Sequence, residues 1–447
     1  MQTVAGTGGR VYRAQPTRRD FLITAGSLTA APAFSSAGGA FARGHEAENV
    51  HSPSLTQIDA SFRDAVRAQR VPGIVAMAAT DGGVIYEGAF GSRHLGQAPA
   101  MSRDTVFRIA SMIKVVTSVA AMQLVEQGKI ALDAPAPPID QALASPQVLT
   151  GFDPVGAPKL RPAKQPITLR HLLTHTAGFA YRLWDAEAVR YANALDRLPA
   201  RQRALLPRTP LMFDPGTRWQ YGTSIDWVGR VVEAISGERL DVYFRKHILG
   251  PLGMADTGFV LSPAQRARQA NAHRRNPDGS LVPQPLEQQI TRTAFSGGGS
   301  LYSTAPDYLT LIRMLLQGGE FNSARILRAE TVALMGQNQI GNIEAGILKT
   351  MNPTLSNDVD FFPRIPLRRG LGHMINMEPG PNGRSAGSLT WAGILNTYYW
   401  IDPAKRVAAV FMTQVLPFAD RPALSLYRAF ERSSSRYARA KSPGSDI

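Results

Sequence analysis

Strand-forming patterns occur near both ends of this chain, whereas the long segment between them has helical periodicity. Residues 71–90 predict two strands joined by the tight-turn dipeptide Asp81-Gly82. Strand patterns return after Ser296 and are clearest over residues 389–413. Between residues 167 and 290, helical periods are broken by prolines and no strand alternation is evident. A mixed α and β fold is therefore predicted, with a helical region inserted between two groups of strands.

Three further segments complete this outline. Residues 134–166 are rich in proline and alanine, which predicts a loop over the surface. Residues 423–430 are amphipathic and predict a last helix that closes the fold. The polar residues 434–447 predict a frayed tail. We therefore expect the folded region to end close to residue 430.

The N-terminus has the layout of an export signal. Arg18-Arg19 precedes a mildly apolar run over residues 23–34, and the small-residue site Ala40-Phe41-Ala42 follows. Arginine pairs also occur elsewhere, for example at Arg368-Arg369, so the position of this pair is the informative part. The apolar run is too short to span a bilayer, and no other segment is suited to do so. The sequence predicts a twin-arginine-type signal peptide over residues 1–42 and a periplasmic or secreted protein.

The composition of the chain argues against several classes of partner, nucleophile and cofactor. The chain has 447 residues, of which 44% are hydrophobic and 19% charged, as in ordinary globular proteins. Its net charge is +15, but the arginines are scattered and form no basic stripe interleaved with aromatic residues, so we expect no nucleic-acid partner. The 0 cysteines exclude disulfides and a cysteine nucleophile. The 8 histidines form no H-E-x-x-H or similar cluster and no nucleotide fingerprint occurs, so we expect no metal and no other cofactor.

An apolar segment after Phe107 begins with a serine and a lysine that are three residues apart. Ser111 and Lys114 form the only S-x-x-K in the chain, and on a helix they would lie on one face. The positive end of that helix favours negative charge that develops at Ser111. Apolar neighbours such as Met112 and Val115 disfavour the ammonium form of Lys114, which would suit activation of the hydroxyl. The alternative is an N-cap serine beside a solvated lysine.

A tyrosine downstream is a candidate proton acceptor. Tyr221 follows the turn at residues 214–217 and precedes a helix-like run over residues 225–235. A tyrosine held at a helix start near an ammonium group can act as a base. The alternative is a tyrosine that only packs.

Residues 391–394 form a third candidate segment, which we place at the start of a predicted strand. Trp391 is followed by the small residues Ala392 and Gly393, which let a backbone approach a substrate closely. The amide of Ile394 could then point at a developing oxyanion. The alternative is a glycine that marks a β-bulge.

Taken in order, these segments resemble the serine hydrolases of the β-lactamase and penicillin-binding-protein fold. More narrowly, the chain looks like the family VIII carboxylesterases, often described as β-lactamase-related or 1,4-butanediol diacrylate esterase-like. The resemblance covers about residues 55–430. It rests on blocks that occur in the family's order: FRIASMIK (107–114), LLTHTAGF (172–179), PGT (215–217) with Tyr221, GGGSLYSTAPDY (297–308) and WAG (391–393).

The resemblance implies an α/β (α+β) fold of the β-lactamase/transpeptidase-like type. An antiparallel sheet flanked by helices would pack on a mostly helical second lobe, with the site in the cleft between them. The sheet lobe would comprise about residues 55–115 and 296–430, and the helical lobe about residues 116–295.

The family's roles can be carried over to the matching residues. By that resemblance Ser111 is the acylated nucleophile, and Lys114 and Tyr221 share the general-base and general-acid work. Which of the two takes the first proton stays open. The amides of Ser111 and Ile394 would form the oxyanion hole. The block at residues 172–179, with His175, is interpreted as structural.

Two departures from the family pattern bear on the substrate. Trp391-Ala392-Gly393 stands where β-lactamases and peptidases usually carry a cationic or polar residue followed by Thr-Gly. The group expected to hold a carboxylate is thus replaced by an indole that suits an apolar moiety. Thr223 stands where the tyrosine motif usually has an asparagine, and it is a shorter, weaker partner for an amide. Both changes favour esters, with Thr223, Trp391, Ala392 and Gly393 as candidate substrate-binding residues.

The predicted function is that of an exported serine carboxylesterase, which hydrolyses small to medium acyl esters through an acyl-enzyme. The alternatives are a β-lactamase or D-alanyl-D-alanine peptidase, an acyltransferase on the same machinery, or a catalytically silent ligand-binding homologue. The expected partner is a small-molecule ester, and the oligomeric state stays open.

A second serine motif is rejected. Residues 383–387 fit G-x-S-x-G, the nucleophile elbow of α/β-hydrolases, which requires a strand before it and a helix after it. Here a Gly/Pro-rich loop precedes Ser385 and a strand pattern follows. The last histidine, His373, also precedes Ser385, against the α/β-hydrolase order.

Overall fold

Strands occur near both ends of the folded chain, and most of the helices lie between them. The computed structural model describes residues 53–285 and 294–440. The helices are α1 (Pro53–Arg67), α2 (Ile113–Glu126), α3 (Gln141–Ala144), α4 (Leu169–Thr174), α5 (Ala186–Arg197), α6 (Ala200–Arg203), α7 (Ser224–Ser236), α8 (Leu240–Phe244), α9 (Pro263–Ala267), α10 (Ala305–Leu316), α11 (Ala329–Met335) and α12 (Arg421–Ala440). A 3₁₀ turn at Ala110–Met112 precedes α2, and a π-helical turn at Arg245–Leu249 follows α8.

The strands are β1 (Gly73–Thr80), β2 (Gly83–His94), β3 (Gln97–Ala100), β4 (Phe107–Arg108), β5 (Gln147–Phe152), β6 (Pro158–Pro162), β7 (His273–Arg275), β8 (Leu281–Pro283), β9 (Tyr302–Ser303), β10 (Glu320–Phe321), β11 (Ala324–Arg325), β12 (Leu367–Arg369), β13 (Met374–Asn376), β14 (Leu389–Gly393), β15 (Thr397–Asp402), β16 (Val407–Met412) and β17 (Val415–Leu416). Their order along the chain agrees with the predicted hairpin at residues 71–90 and with the strand patterns at residues 389–413.

An eight-stranded antiparallel sheet unites the two ends of the chain. Its strand order is β12-β13-β14-β15-β16-β1-β2-β3. The junction is the pairing of β1 with β16, in which Val75 lies opposite Met412 and Thr80 lies opposite Val407. The fold class implied by the resemblance is therefore confirmed.

The two faces of this sheet are covered by different helices. Successive residues of a strand point to opposite faces, and β15 shows this clearly. Tyr398 stacks on Tyr427 of α12, with ring centroids 4.4 Å apart. Tyr399 faces the other way, 5.5 Å from the ring of Tyr308 in α10. Helices α1 and α12 pack against each other on the first face, and α10 packs on the second.

Helix α2 is the buried centre of the helical region. It packs against α7 and α8, and its side chains from Ile113 to Leu124 are all buried. The chain leaves the helix through Gly128, whose φ of +67° suits a glycine that terminates a helix. The predicted helix end near residue 127 is thus observed.

The predicted surface loop at residues 134–166 is wrong in part. It contains the short helix α3 and the hairpin of β5 and β6, in which Val148 pairs with Arg161. Pro158 and Pro162 occupy the two ends of β6, where the missing backbone N–H of proline is tolerated. The proline content therefore predicted a loop where the structure has a strand. The short strands β7 and β8 were likewise not expected in the helical region.

The C-terminal helix is longer than the sequence pattern indicates. Helix α12 runs to Ala440, and Ser434 and Ser435 on it are buried. Residues 434–440 of the predicted polar tail therefore belong to the fold, because small serines pack where the pattern suggested solvent. Residues 441–447 and the predicted signal peptide lie outside the described residues. Within the described ranges, no helix combines the length and the apolar character that a membrane span requires.

Candidate active site

Ser111 is presented by a strained turn immediately before α2. Ala110 has a φ of +45°, a left-handed conformation that residues other than glycine adopt at a cost in energy. The 3₁₀ turn that it begins leads into α2 at Ile113. Ser111 therefore lies beside the positive end of a long buried helix, where negative charge is favoured.

Lys114 and Tyr221 both contact the hydroxyl of Ser111. Lys114 Nζ donates a hydrogen bond to Ser111 Oγ at 3.0 Å, and the Tyr221 hydroxyl donates to the same atom at 2.8 Å. Lys114 is fully buried and Tyr221 is nearly so, while Ser111 remains partly exposed. The structure thus brings together the three predicted catalytic residues, although 110 positions separate Ser111 from Tyr221.

Lys114 is held by oxygen atoms that carry no formal charge. Besides Ser111, it donates to the carbonyl of Gly298 at 2.5 Å and lies 3.5 Å from the hydroxyl of Tyr181. Within the described ranges no carboxylate reaches it at salt-bridge distance. Gly298 belongs to the 297–308 block of the resemblance, to which sequence reasoning assigned no catalytic contact.

Tyr181 and Asp226 form a second layer that sequence reasoning missed. The Tyr181 hydroxyl donates to Asp226 Oδ2 at 3.2 Å. Asp226 Oδ1 accepts from the Gly298 amide at 3.3 Å and from the Ser296 hydroxyl, so it holds the glycine loop against Lys114. Burial, reinforced by the charges of Asp226 and Tyr221, raises the pKa of Tyr181 well above its ordinary value, so this phenol stays protonated. The one sequence feature that could have indicated this layer is the position of Asp226, which lies on α7 five residues after Tyr221.

The 172–179 block positions Tyr221. The amide of Gln220 donates to the carbonyl of His175 at 3.0 Å, and a Cβ at Gly222 would clash with the carbonyl of Phe179. The buried ring of His175 lies 5.0 Å from that of Tyr221. Burial, together with the charges of Arg369 and Lys114, holds the pKa of His175 well below its ordinary value. A neutral, structural histidine is what this environment favours.

The segment around Gly393 approaches the turn that carries Ser111 closely. Any Cβ at Gly393 would clash with the carbonyl oxygen of Ile109, two residues before Ser111. This segment ends β14 and does not start a strand, which corrects the prediction, and Ile394 follows it in a turn. The Ile394 amide donates to no other backbone carbonyl of the described residues. Its role in an oxyanion hole stays a prediction.

Aromatic rings surround Tyr221. The ring of Trp391 lies 4.9 Å from it, that of Trp184 5.1 Å and that of Tyr181 5.2 Å. Phe361 extends this wall, 5.8 Å from Trp391. Tyr221, which contacts Ser111, is therefore enclosed by aromatic rings.

The other two candidate substrate contacts lie elsewhere. Ala392 pairs with Tyr398, whose ring faces α12, so its methyl group lies on the opposite face of the sheet from Trp391. Thr223 lies where two cavities of about 400 and 850 Å³ meet, beside Tyr181 and Asp226. It has no described contact with Ser111.

Neither a metal centre nor the cavity on the other face explains this site. Among the described residues, no group of three or more His, Asp or Glu side chains could hold a metal ion. A cavity of about 910 Å³ lies against α12 and the loop at residues 357–365, but Ser111, Lys114 and Tyr221 do not line it. The chemistry therefore has to be argued from the serine, lysine and tyrosine.

Comparison with known proteins agrees with this geometry. The β-lactamase family model matches residues 58–432. This chain belongs to the β-lactamase family. The ML-236A carboxylate methylbutanoyltransferase of Penicillium citrinum is 32% identical, over 85% of this chain and 94% of its own length. The lovastatin esterase of Penicillium rubens is 31% identical, over 80% of this chain and 93% of its own.

A solved structure extends the comparison to the fold. A mutant of simvastatin synthase from Aspergillus terreus superimposes with a TM-score of 0.75 at 30% identity. The match covers 86% of this chain and 100% of that one. The chain is thus a β-lactamase-fold enzyme of the serine hydrolase and acyltransferase kind.

Proposed function

We propose that this protein is a serine esterase that cleaves carboxylic esters through an acyl-enzyme on Ser111. The observation that carries the proposal is the contact of Ser111 Oγ with Lys114 Nζ at 3.0 Å and with the Tyr221 hydroxyl at 2.8 Å. A hydroxyl held between an amine and a phenol has a proton acceptor and a proton donor within reach. Acyl transfer needs both at successive steps.

The first half-reaction forms the acyl-enzyme. Ser111 gives its proton to the Lys114–Tyr221 pair while Oγ forms a bond to the ester carbonyl carbon. The oxyanion that results lies at the amides of Ser111 and Ile394, near the positive end of α2. The bond from carbon to the alcohol oxygen then breaks, and the alcohol leaves with the proton that the pair held.

The second half-reaction releases the acid. Water gives a proton to the same pair and attacks the acyl carbon, and the bond to Ser111 Oγ breaks as the serine regains a proton. If an alcohol takes the place of water, the same steps transfer the acyl group to it. Esterase and acyltransferase activity therefore differ only in the acceptor.

Acyl transfer to an alcohol is the second candidate function. The aromatic surface formed by Trp184, Trp391 and Phe361 offers an organic acceptor apolar contact that water does not need. A methylbutanoyltransferase and an esterase both occur among relatives of similar identity, which supports a shared acyl-enzyme.

Esters are favoured over β-lactams because Trp391 stands in β14 where the family pattern has a cationic or polar group. We expect p-nitrophenyl butyrate to be turned over faster than a chromogenic cephalosporin. The reverse ranking would reassign the protein to the β-lactamases.

The decisive experiment combines kinetics with covalent labelling. Wild type, Ser111→Ala and the control Ser385→Ala are assayed on p-nitrophenyl esters of increasing acyl length. We expect Ser111→Ala to lose at least ~10⁴-fold in rate, whereas Ser385→Ala keeps wild-type rates.

A fluorophosphonate should add once to wild type and not to Ser111→Ala, as judged by intact mass. A catalytically silent homologue would gain no adduct at all. Added 1-butanol should yield butyl butyrate if transfer occurs.

We further infer export through a twin-arginine-type signal at residues 1–42, on the strength of the sequence pattern alone. Residues 1–42 fused to a reporter should direct it out of the cytoplasm of a bacterium that has the twin-arginine pathway. Replacing Arg18 and Arg19 together by lysine should abolish that export, and an unaffected reporter would contradict the inference.

A further inference from the structure

A buried arginine lies directly behind the aromatic wall of the site. Arg369, the last residue of β12, has no exposed surface. Its guanidinium carbon lies 4.4 Å from the centre of the Trp391 ring. The Trp391 ring in turn lies 4.9 Å from that of Tyr221, which contacts Ser111. Arg369 is thus one aromatic ring removed from Tyr221, a member of the proposed Lys114–Tyr221 pair.

Arg369 has no counter-charge in the described part of the chain. None of its three guanidinium nitrogens has a hydrogen-bond partner there. Burial lowers its pKa to about 10, so it remains charged at neutral pH. An isolated cation in a low-dielectric interior is costly, and its field reaches nearby groups with little screening. Arg369 therefore brings a buried cation close to Tyr221.

The groups that face Arg369 do not cancel this charge. Burial, followed by the charge of Arg369, lowers the pKa of His373 to about 3, and His175 is held neutral in the same way. The His373 ring shares a hydrogen bond of 2.9 Å with the hydroxyl of Tyr399. Tyr221 and Tyr399 are the groups whose ionised forms would attract the guanidinium. Asp226, the acid in the layer behind Lys114, is engaged with Tyr181.

We propose that Arg369 is a positioning residue for the acyl transfer, holding Trp391 by stacking and stabilising the negative charge that develops on the tetrahedral intermediate. The inference rests on the proposed function. Negative charge appears on the carbonyl oxygen of the ester as Ser111 Oγ bonds to the carbonyl carbon. A fixed cation nearby stabilises that charged state more than the neutral ground state, which is the condition for faster chemistry.

Arginine is the side chain suited to this position. Its planar guanidinium stacks on an indole and stays charged when it is buried, whereas a lysine is a compact charge that loses its proton more readily. The neighbouring Arg368 gives a matched control, because its guanidinium is paired with Glu344 at 3.5 Å. Both arginines belong to one strand, but Arg369 alone lies on Trp391.

Three variants test the inference: Arg369→Met, Arg369→Lys and the control Arg368→Met, all assayed on p-nitrophenyl butyrate. We expect Arg369→Met to lower kcat roughly 10- to 100-fold with KM almost unchanged, because the lost interaction belongs to the transition state. Arg369→Lys should recover part of the loss, and Arg368→Met should stay within about twofold of wild type. Because removing a cation makes nearby acids weaker, Arg369→Met should also move the pH profile of kcat/KM upward by roughly one unit.

Stability and labelling separate this role from a structural one. Arg369→Met removes an unpaired buried charge, so its thermal midpoint should equal or exceed that of wild type. Its labelling by the fluorophosphonate should be slower but still stoichiometric at Ser111. Arg369→Gln is the second neutral variant and should behave like Arg369→Met.

Three results would overturn the inference. A folded neutral variant with the wild-type kcat and pH profile would overturn it, as would an Arg368→Met variant that is equally impaired. Failure of both neutral variants to fold would show that the charge serves the fold. If Ser111→Ala is inactive in the same assays, the proposed esterase function survives any of these results. If Ser111→Ala is active, the proposed function itself fails.

Discussion

Two fully buried arginines lie on different sides of the central sheet and differ in what surrounds them. Arg384 faces α12, where its Nε lies 2.6 Å from a carboxylate oxygen of the buried Glu431. Its guanidinium also lies 5.3 Å from the centre of the Trp400 ring. Arg369 lies on Trp391 without any acidic partner among the described residues. The two side chains have the same chemistry and the same burial, but only Arg384 is electrically compensated.

This difference in compensation predicts which buried charges affect the stability of the protein and which affect its reaction rate. A compensated pair such as Arg384 and Glu431 fixes the packing of α12 on the sheet, and its field largely cancels at a distance. The uncompensated Arg369 costs stability, but its field acts on the groups around Ser111. We therefore expect substitutions on the α12 side to change the free energy of unfolding and substitutions on the site side to change rates.

The largest effect is expected from Lys114→Met. The variant should lose at least ~10⁴-fold in kcat/KM for p-nitrophenyl butyrate, close to Ser111→Ala, because the two residues act as a unit. The free energy of unfolding is measured in urea to show that the loss of activity does not come from unfolding. Lys405→Met is the control, since Lys405 also donates to a backbone carbonyl, that of Gly383, but far from the site. If Lys114→Met keeps activity within tenfold of wild type, the contrast between the site side and the α12 side of the sheet fails.

Arg384→Met is expected to have the opposite profile. It leaves Glu431 buried without a counter-charge, which should lower the free energy of unfolding by about 3–5 kcal/mol. The kcat of the folded fraction should be unchanged. Replacing both partners, as Arg384→Met with Glu431→Leu, should recover most of the stability, because a well-packed apolar pair can substitute for a buried ion pair. A fall in kcat without a loss of stability would contradict this assignment.

A half-buried acid outside the site tests whether the desolvation of such a group is merely costly. Asp307, in the first turn of α10, has its pKa raised to about 6 by burial, although it accepts hydrogen bonds from the Asp256 amide and the Thr257 hydroxyl. Because this folded-state pKa exceeds the unfolded value, its contribution to stability is fully present below about pH 4 and is lost as the pH rises through about 6.

Asp307→Asn should therefore flatten the pH dependence of stability. Relative to wild type, the variant should gain up to about 3 kcal/mol in free energy of unfolding between pH 4 and pH 8, as followed by urea titration at both values. Esterase kcat at pH 8 should be unaffected. An identical pH dependence in the two proteins would show that Asp307 titrates normally.

The residues that sequence reasoning could find are those with a local or motif signature. Ser111 and Lys114 are three positions apart, so helical geometry alone places them together, and Tyr221 follows from its place in a known order of blocks. The boundaries of β1, β2 and α2 were also close to the prediction, because alternation, a turn dipeptide and a terminal glycine mark them.

Arg369 could not be found in this way. In sequence it is half of an arginine pair like others in the chain, and its environment depends on the pairing of β12, β13 and β14. Tyr181 reaches Lys114 across 67 positions, again without a local signal. The hairpin of β5 and β6 was missed because prolines at strand ends look like loop residues.

The smallest effect is expected from Gly393→Ala, which changes the position of the backbone and leaves every charge in place. Gly393→Ala introduces a methyl group against the carbonyl of Ile109 and the hydroxyl of Thr397. To relieve these contacts, β14 must move away from the turn that carries Ser111. Overpacking of this kind should cost about 1–3 kcal/mol in free energy of unfolding. It should also lower kcat by up to ~10²-fold if the Ile394 amide stabilises the oxyanion.

Gly336→Ala is the matched control for this change, because a methyl group there would meet the Leu389 side chain only at 3.6 Å, an ordinary contact. A transition-state analogue sharpens the test: a boronic acid that forms a tetrahedral anion on Ser111 should lose affinity for Gly393→Ala in proportion to the loss of kcat. If the folded variant instead keeps the wild-type kcat, the position of β14 matters little. The rate would then depend on Lys114 and on the charge of Arg369, and the oxyanion hole would have to be sought at another amide.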